Sequence, residues 1–207
     1  SVELDCQVLN QRDERVLFGL ARVLAPTQRV RRLQVDVPQI QLFDPDARLR
    51  ALLALGDGLA PVRCGVVHPC DADSLSGAME AARLGLIDPV LIGPETRLRD
   101  LANANGIDLT GITIEHVPHS HAAAATAAAM AADRRVHALM KGSLHTDELI
   151  RAVVAETTLR TARRMSHVFR FDVPTYAKPL LLTDSALNIR PTLAEKADIV
   201  QNAILFA

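Results

Sequence analysis

The segment from Met140 to Arg151 combines small, basic and hydroxyl-bearing residues in a pattern that suits an anion. An apolar stretch runs into a glycine, a polar loop and then a helical pattern. Glycine lets another group approach the backbone closely, and the first turn of a helix offers free N–H groups. An ordinary strand–helix connection with a capped helix is the alternative interpretation. The candidate phosphate ligands are Lys141, Gly142, Ser143, Thr146 and Arg151, and His145 is a further donor.

A basic cluster follows, in which Arg160, Arg163 and Arg164 fall within five residues. Arginines at this density can hold phosphate groups, and a solvated basic face is the alternative. Ser166 and His167 come next. Adjacent side chains on a strand point to opposite faces, so these two do not form a nucleophile–base pair by proximity.

Asp184 directly follows an apolar stretch, at a place where α/β proteins often carry functional carboxylates. It could act as a base or orient a ligand, and Asn188 lies in the same polar segment. A turn or a helix cap is the alternative role for an aspartate here.

A metal site is not favoured by the histidines at 116, 119 and 121, because a predicted strand–helix break falls among them. No Walker loop, GxGxxG or GxSxG motif occurs. The three cysteines form neither a CxxC pair nor a disulfide framework, and we expect reduced thiols and a cytoplasmic protein. The sequence therefore predicts no metal.

The bulk composition is that of a globular protein. The chain has 207 residues, of which 49% are hydrophobic, and a formal net charge of -1. No basic excess favours nucleic acid as a partner, and no apolar run reaches the roughly 18 residues that span a bilayer. The chain opens with Ser1 rather than methionine, which leads us to expect that it begins within a longer protein.

Two patterns of secondary structure divide the chain. Residues 2–9 and 15–24 predict a β-hairpin, and a linker with prolines follows at about 27–48. From residue 61 short apolar strands alternate with helices, which predicts a three-layer α/β/α fold with a mostly parallel sheet. Ser120 and Thr146 are the expected caps of two of these helices. Ligands of such folds lie beyond the carboxyl ends of the strands, here after Val67, Ile92, Val117 and Met140.

Residues 66–207 resemble the phosphate acetyl/butyryltransferase family, and the butyryltransferase-like branch more than the plain acetyltransferases. The resemblance is carried by MKGSLHTDELIRAV at 140–153, by LRTARRMSHVFRFDVPTYAKPLLLTDSALNIRP at 159–191 and by LAEKADIVQNAI at 193–204. Residues 4–30 resemble the tail of a hot-dog-fold enoyl-CoA hydratase domain, which some family members carry ahead of the acyltransferase. The implied domains are a hydratase remnant at 1–30, a linker at 31–48, a first α/β domain at 49–158 and an incomplete second α/β domain at 159–207.

The resemblance implies reversible transfer of an acyl group between CoA and inorganic phosphate. Lys141, Ser143 and Thr146 would hold phosphate, with Arg151 or Arg160 assisting. His145 or His167 would polarise the carbonyl group or protonate the leaving thiolate, and Asp184 would be a third catalytic group. Ser166 and Asn188 would contact phosphate or CoA. Gly142 would let these ligands approach the backbone closely.

The resemblance also implies no cofactor, small-molecule partners only, and a homo-oligomer in the full-length protein. Family members continue past the segment 193–204, so further catalytic groups are expected beyond it. An inactive fragment that only binds CoA or phosphate is one alternative. A decarboxylating dehydrogenase of similar fold is another, but the sequence lacks the metal-binding aspartates that such an enzyme needs.

Overall fold

A computed structural model describes residues 1–24, Asp44 and residues 46–207. The chain divides into two compact units, Ser1–Phe43 and Asp44–Ala207. Most of the predicted linker at 31–48 lies outside the described residues. The predicted boundaries at residues 30, 48 and 158 stay predictions. No helix in the described part of the chain is long and apolar enough to cross a membrane.

The first unit contains the predicted β-hairpin. Strands β1 (Val2–Leu9) and β2 (Arg15–Val23) pair in antiparallel register. The turn is fixed by the Asn10 side chain, whose Oδ1 accepts hydrogen bonds from the amides of Arg12 and Glu14. Asparagine is favoured at such turns because its side chain bonds to backbone a few residues ahead.

The second unit is built on a parallel sheet of four strands in the order β5–β4–β3–β6. A short helix, α1 (Ala47–Ala54), precedes it. The strands are β3 (Val62–Val67), β4 (Ile87–Gly93), β5 (Thr113–His116) and β6 (Ala138–Lys141).

Helices cover both faces of this sheet, which confirms the predicted three-layer arrangement. On one face, α2 (Ala72–Arg83) and α3 (Glu95–Ala104) pack Leu75 and Leu98 against the sheet. On the other face, α4 (Ser120–Ala132) and α5 (Thr146–Ala155) bury a run of small alanines and Leu149. The alanines let α4 lie close to the sheet because they occupy little space.

The last part of the chain forms a separate antiparallel pair, β7 (Val168–Phe171) and β8 (Leu180–Thr183), after a 3₁₀ turn at Thr157–Leu159. Helix α6 (Leu193–Phe206) follows. Its start is fixed by a capping box, in which Thr192 and Glu195 each bond to the other's backbone amide.

Two helices begin one residue earlier than the sequence predicts. His119, not Ser120, caps α4, and its Nδ1 accepts the amide hydrogen of Ala122 at 3.2 Å. His145, not Thr146, occupies the cap of α5, and its side chain makes no capping bond. The two predicted caps are therefore wrong by one position.

Candidate functional site at the topological switch point

The direction of chain progression reverses between β3 and β6. From β3 the chain adds β4 and then β5 on one side, and it returns to add β6 on the other side of β3. Crevices at such a switch point, beyond the carboxyl ends of the strands, are where open α/β sheets bind ligands. The loops after Val67 and Lys141 are therefore the first place to seek a site.

These two loops interlock through their backbones. The amide of Gly142 donates to the Val67 carbonyl at 2.9 Å, and the amide of Ser143 donates to the His68 carbonyl at 2.8 Å. A β-carbon on Gly142 would lie only 2.6 to 2.7 Å from backbone atoms of Val67, His68 and Pro69. The neighbouring loop thus takes the side-chain space at Gly142, and the ligand-binding role of Gly142 stays a prediction.

His68 is the residue at this switch point that the sequence analysis missed. It is only 8% exposed, and its backbone is in the left-handed region at a φ of 53°. Its Nδ1 lies 3.1 Å from the Ser143 carbonyl oxygen, so backbone and side chain of His68 both bind the second loop. In the sequence, His68 could have been selected because it is the first polar residue after a buried strand.

The charged groups beside these loops are engaged locally. The Lys141 ammonium donates to the carbonyl oxygens of Gly142 and Leu144 at 3.1 and 2.9 Å. Asp71 caps α2, and the hydrogen bond from the Ser74 amide is the main cause that lowers the pKa of Asp71. Lys141 therefore stabilises the conformation of its own loop.

The first turn of α5 presents backbone N–H groups but also two acids. Within the described residues, no acceptor bonds to the amides of residues 146–148. Asp147 and Glu148 are the acids of this turn, and Arg151 lies one turn further on with its Nη2 3.6 Å from Asp147 Oδ2. Thr146 is exposed. The helix dipole attracts an anion here, whereas the two carboxylates oppose it.

A cavity of about 400 Å³ lies between this turn and the start of α4. His145 and Arg151 line it together with His121, whose Nδ1 is 2.9 Å from Glu148 Oε1. The Glu148 side chain is only 11% exposed, and its Oε1 faces the His121 ring. Asp147 and Glu148 line the same cavity, so basic and acidic groups share it on the α4–α5 face of the sheet.

The three histidines at 116, 119 and 121 each make a separate contact. His116 accepts the Glu95 amide at 3.2 Å, His119 caps α4, and His121 pairs with Glu148. Among the residues that the structure describes, no group of three His, Cys, Asp or Glu side chains could hold a metal ion.

A second cavity, of about 890 Å³, lies beside the carboxyl-terminal half of α5. It brings together Arg160, Ser166 and Asn188, three residues that the sequence analysis selected. Ser166 Oγ accepts the Asn202 amide at 2.9 Å, and Arg160 donates to the Val154 carbonyl at 3.1 Å. This volume is that of a small-molecule site, and its lining mixes arginines with apolar side chains.

Asp184 organises the turn after β8. Its Oδ1 accepts the amides of His167, Ala186 and Leu187 at 3.1 to 3.4 Å, and the Asn188 amide group donates to its other oxygen. Partial burial raises the pKa of Asp184, but the hydrogen bonds from Asn188 and from the backbone amides lower it overall. These contacts suit a turn-forming carboxylate.

The His167 ring packs edge-on against Phe169, with ring centroids 4.1 Å apart. Its Nδ1 is buried without a hydrogen-bond partner in the described part of the chain. The candidate residues thus separate into two groups. One group, at 141–151, surrounds the switch point and the smaller cavity, and the other, at 160–188, belongs to the larger cavity and the β7–β8 pair.

Solved structures share this α/β fold. A branched-chain phosphotransacylase from Enterococcus faecalis superposes with a TM-score of 0.55 at 23% sequence identity, covering 69% of this chain and 49% of that one. The likeness shows that this chain shares the α/β fold of that structure.

Residues 110–207 match the family described as phosphate acetyl/butaryl transferase. A phosphate acetyltransferase from Rickettsia felis is 50% identical over 173 residues, which are 81% of this chain and 50% of that protein. A phosphate butyryltransferase from Clostridium acetobutylicum is 33% identical over 138 residues, which are 66% of this chain and 46% of that protein. The chain spans about half the length of the curated relatives it matches.

Proposed function

We propose that the protein transfers an acetyl or other short acyl group reversibly between CoA and inorganic phosphate. The observation that carries this proposal is the 50% identity, over 173 residues, to a relative named phosphate acetyltransferase. The greater identity to that relative than to the butyryltransferase makes acetyl the first acyl group to test. The open switch-point arrangement of the sheet supports the same proposal.

The amino-terminal turn of α5 is the proposed phosphate site. Its free N–H groups and the Thr146 hydroxyl would bind phosphate oxygens, and Arg151 would leave Asp147 to pair with the anion. Ser143 would hold the loop, and Lys141 would add positive charge. Gly142 would contribute by letting the two loops interlock, since its side-chain space is filled by backbone.

His145 is the proposed donor to the reacting groups. It lines the smaller cavity beside Arg151, where it could donate to the developing negative charge on the carbonyl oxygen or return a proton to the departing thiolate. Phosphate would attack the thioester carbon directly, which requires neither a covalent acyl-enzyme nor a cofactor. Positioning phosphate against the thioester is then the main contribution of the protein.

The second group would bind CoA rather than phosphate. Arg160, Ser166 and Asn188 line a cavity whose mixed apolar and basic lining suits a long thioester with phosphate groups. His167 and Asp184 remain proposed catalytic groups of lower rank, because the contacts of Asp184 are those of a turn former.

Several wider proposals follow from the resemblance. The hairpin at β1–β2 would belong to an enoyl-CoA hydratase domain of a bifunctional protein. The protein would be cytoplasmic, and it would assemble as a homo-oligomer in its full-length form. Binding of CoA or phosphate without turnover is the alternative function.

The test is phosphate-dependent release of CoA thiol from acetyl-CoA and butyryl-CoA by the 207-residue chain. Release that requires phosphate supports the acyltransferase. If calorimetry detects CoA binding but no thiol appears, this chain is a binding module and the proposed activity is wrong for it. Hydration of an enoyl-CoA, followed in the same samples, tests the proposed hydratase part separately.

A further inference from the structure

The β1–β2 hairpin has one face that is apolar from end to end. Residues directly opposite each other in an antiparallel pair share a face, and the faces alternate along each strand. Four pairs form the apolar face: Val2 with Val23, Leu4 with Ala21, Cys6 with Gly19, and Val8 with Leu17. None of these side chains carries a charge or an amide group.

The opposite face of the hairpin carries a charged or amide side chain in every pair. Its pairs are Glu3 with Arg22, Asp5 with Leu20, Gln7 with Phe18, and Leu9 with Arg15. Glu3 and Arg22 form an ion pair, and the Arg15 guanidinium lies 4.9 Å from the centre of the Phe18 ring. This second face suits water, so the hairpin has the pattern of a sheet that packs on one side only.

The large side chains of the apolar face are open to solvent. They are 43 to 65% exposed, and they are Val2, Leu4, Val8, Leu17 and Val23. A two-stranded hairpin is at best marginally stable alone in water and needs a packed face. Contiguous apolar surface of this kind marks a site where another layer of protein packs.

The shape of the apolar face matches a second copy of itself. The small pair Cys6–Gly19 leaves a hollow, and a β-carbon added to Gly19 would meet no atom within 4 Å. Leu4 lies in the next pair along the hairpin, beside this hollow. A twofold axis between the two pairs therefore sets Leu4 of each copy into the hollow of the other, which is the self-complementary contact of a twofold dimer.

The area of the face sets the strength of such a contact. Full burial would remove roughly 500 Å² from each copy and about 1,000 Å² in total, which is near the lower limit for a specific protein–protein interface. The surface therefore fits a reversible dimer rather than an obligate one.

We propose that the apolar face of the β1–β2 hairpin is a self-association surface, on which a second copy of this chain packs its own apolar face. Two hairpins stacked about 10 Å apart form a four-stranded sandwich, with both charged faces turned to water. The inference goes beyond the proposed acyl transfer and does not depend on it. Because two chains combine, the fraction of dimer rises with protein concentration.

The test combines analytical ultracentrifugation with thiol labelling of the 207-residue chain over a range of protein concentrations. Cys6 is an exposed reporter on the apolar face, whereas Cys64 and Cys70 are buried and burial raises the pKa of both thiols. We expect the average mass to rise from one chain toward two as concentration increases. The labelling rate of Cys6 should fall over the same range, because its thiol becomes covered.

Leu17→Lys and Leu20→Lys are the matched variants. Both leucines lie on β2 and are 65% and 78% exposed, but Leu17 is on the apolar face and Leu20 faces Asp5 on the other. We expect Leu17→Lys to weaken self-association at least about tenfold, because the ammonium group would lose water in the dimer. Leu20→Lys should leave the dimer unchanged, since that side chain stays in water.

Several results would overturn the proposal. A chain that remains monomeric would do so, whether Cys6 labels fast or is protected at every concentration, and lasting protection would show that another part of the same chain covers the face. A dimer in which Cys6 labelling does not slow would place the contact elsewhere. Equal loss in both lysine variants would show association without a specific face. If Leu17→Lys does not fold, the concentration dependence of Cys6 labelling in the wild type decides alone.

Discussion

The Val67 carbonyl oxygen accepts the Gly142 amide at 2.9 Å, and a β-carbon on Gly142 would lie 2.6 Å from that same oxygen. The nearest atoms all belong to the backbone of residues 67–69, so no rotation of a side chain relieves the contact. The two loops of the switch point can therefore meet only if residue 142 is glycine.

Replacing Gly142 with alanine should lower the free energy of unfolding by at least about 2 kcal/mol, because the loops must separate to admit a methyl group. Urea unfolding measures the change. Gly77→Ala is the control, since Gly77 lies in α2 with open space around it, and this change should stabilise the chain by up to about 1 kcal/mol. Equal stability of both variants would contradict the interlocked loops.

His119→Ala should cost about 1 kcal/mol of stability, because the Ala122 amide at the start of α4 loses its acceptor. His119→Asp should recover the loss, since a carboxylate caps the amide and also complements the helix dipole. Thermal unfolding of the variants, beside His137→Ala as an exposed control, measures both effects. An unchanged thermal stability in His119→Ala would show that the cap does not stabilise the protein.

The pH dependence of stability should include a contribution from Asp71. Its pKa is lowered in the folded state, mainly by the Ser74 amide, so its stabilisation is present above the unfolded pKa and is lost as the pH falls through the folded one. The wild type should therefore lose more stability than Asp71→Asn between about pH 5 and pH 3. Urea midpoints at several pH values test this, and parallel curves for the two proteins would refute it.

Asp184→Asn distinguishes a turn-forming carboxylate from a catalytic base. The new amide would face the Asn188 amide group that now donates to Asp184, so we expect a loss of about 2 kcal/mol in stability. Ser185→Ala is the control, because Ser185 is exposed and adjacent. Unchanged stability combined with lost CoA release would instead favour Asp184 as a base.

Arg151→Ala should weaken the apparent affinity for phosphate about tenfold, because one charge-assisted hydrogen bond is removed. Arg151→Lys should recover part of it through charge alone. Arg99→Ala serves as the control, since Arg99 pairs with Glu95 on the opposite face of the sheet. The KM for phosphate, or the phosphate response of the amides at 142–146, is the measurement. An unchanged phosphate affinity in Arg151→Ala would show that Arg151 does not bind phosphate.

Local patterns predicted most of the elements. The capping box at Thr192 and Glu195 fixes the start of α6 by contacts between neighbours in sequence. The hairpin was likewise predictable from its alternation and from the Asn10 turn. These features depend on residues only a few positions apart, which a single sequence displays directly.

The switch-point contacts could not be predicted in this way. The role of Gly142 depends on Val67, and the bond from His68 to Ser143 depends on strand order, which periodicity does not encode. Histidine is also an uncommon helix cap, so Ser120 was the stronger prediction from residue preference alone. Tertiary contacts decided all of these positions.

The pairing of β3 with β6 also governs when the site can form. Val66 pairs with Met140, more than seventy residues later in the sequence, whereas β3, β4 and β5 join through short local crossovers. Closing so long a loop costs conformational entropy before any contact repays it, and contact order of this kind slows folding. We therefore expect the switch point to assemble late, so that its hydrogen bonds would report completion of the α/β unit.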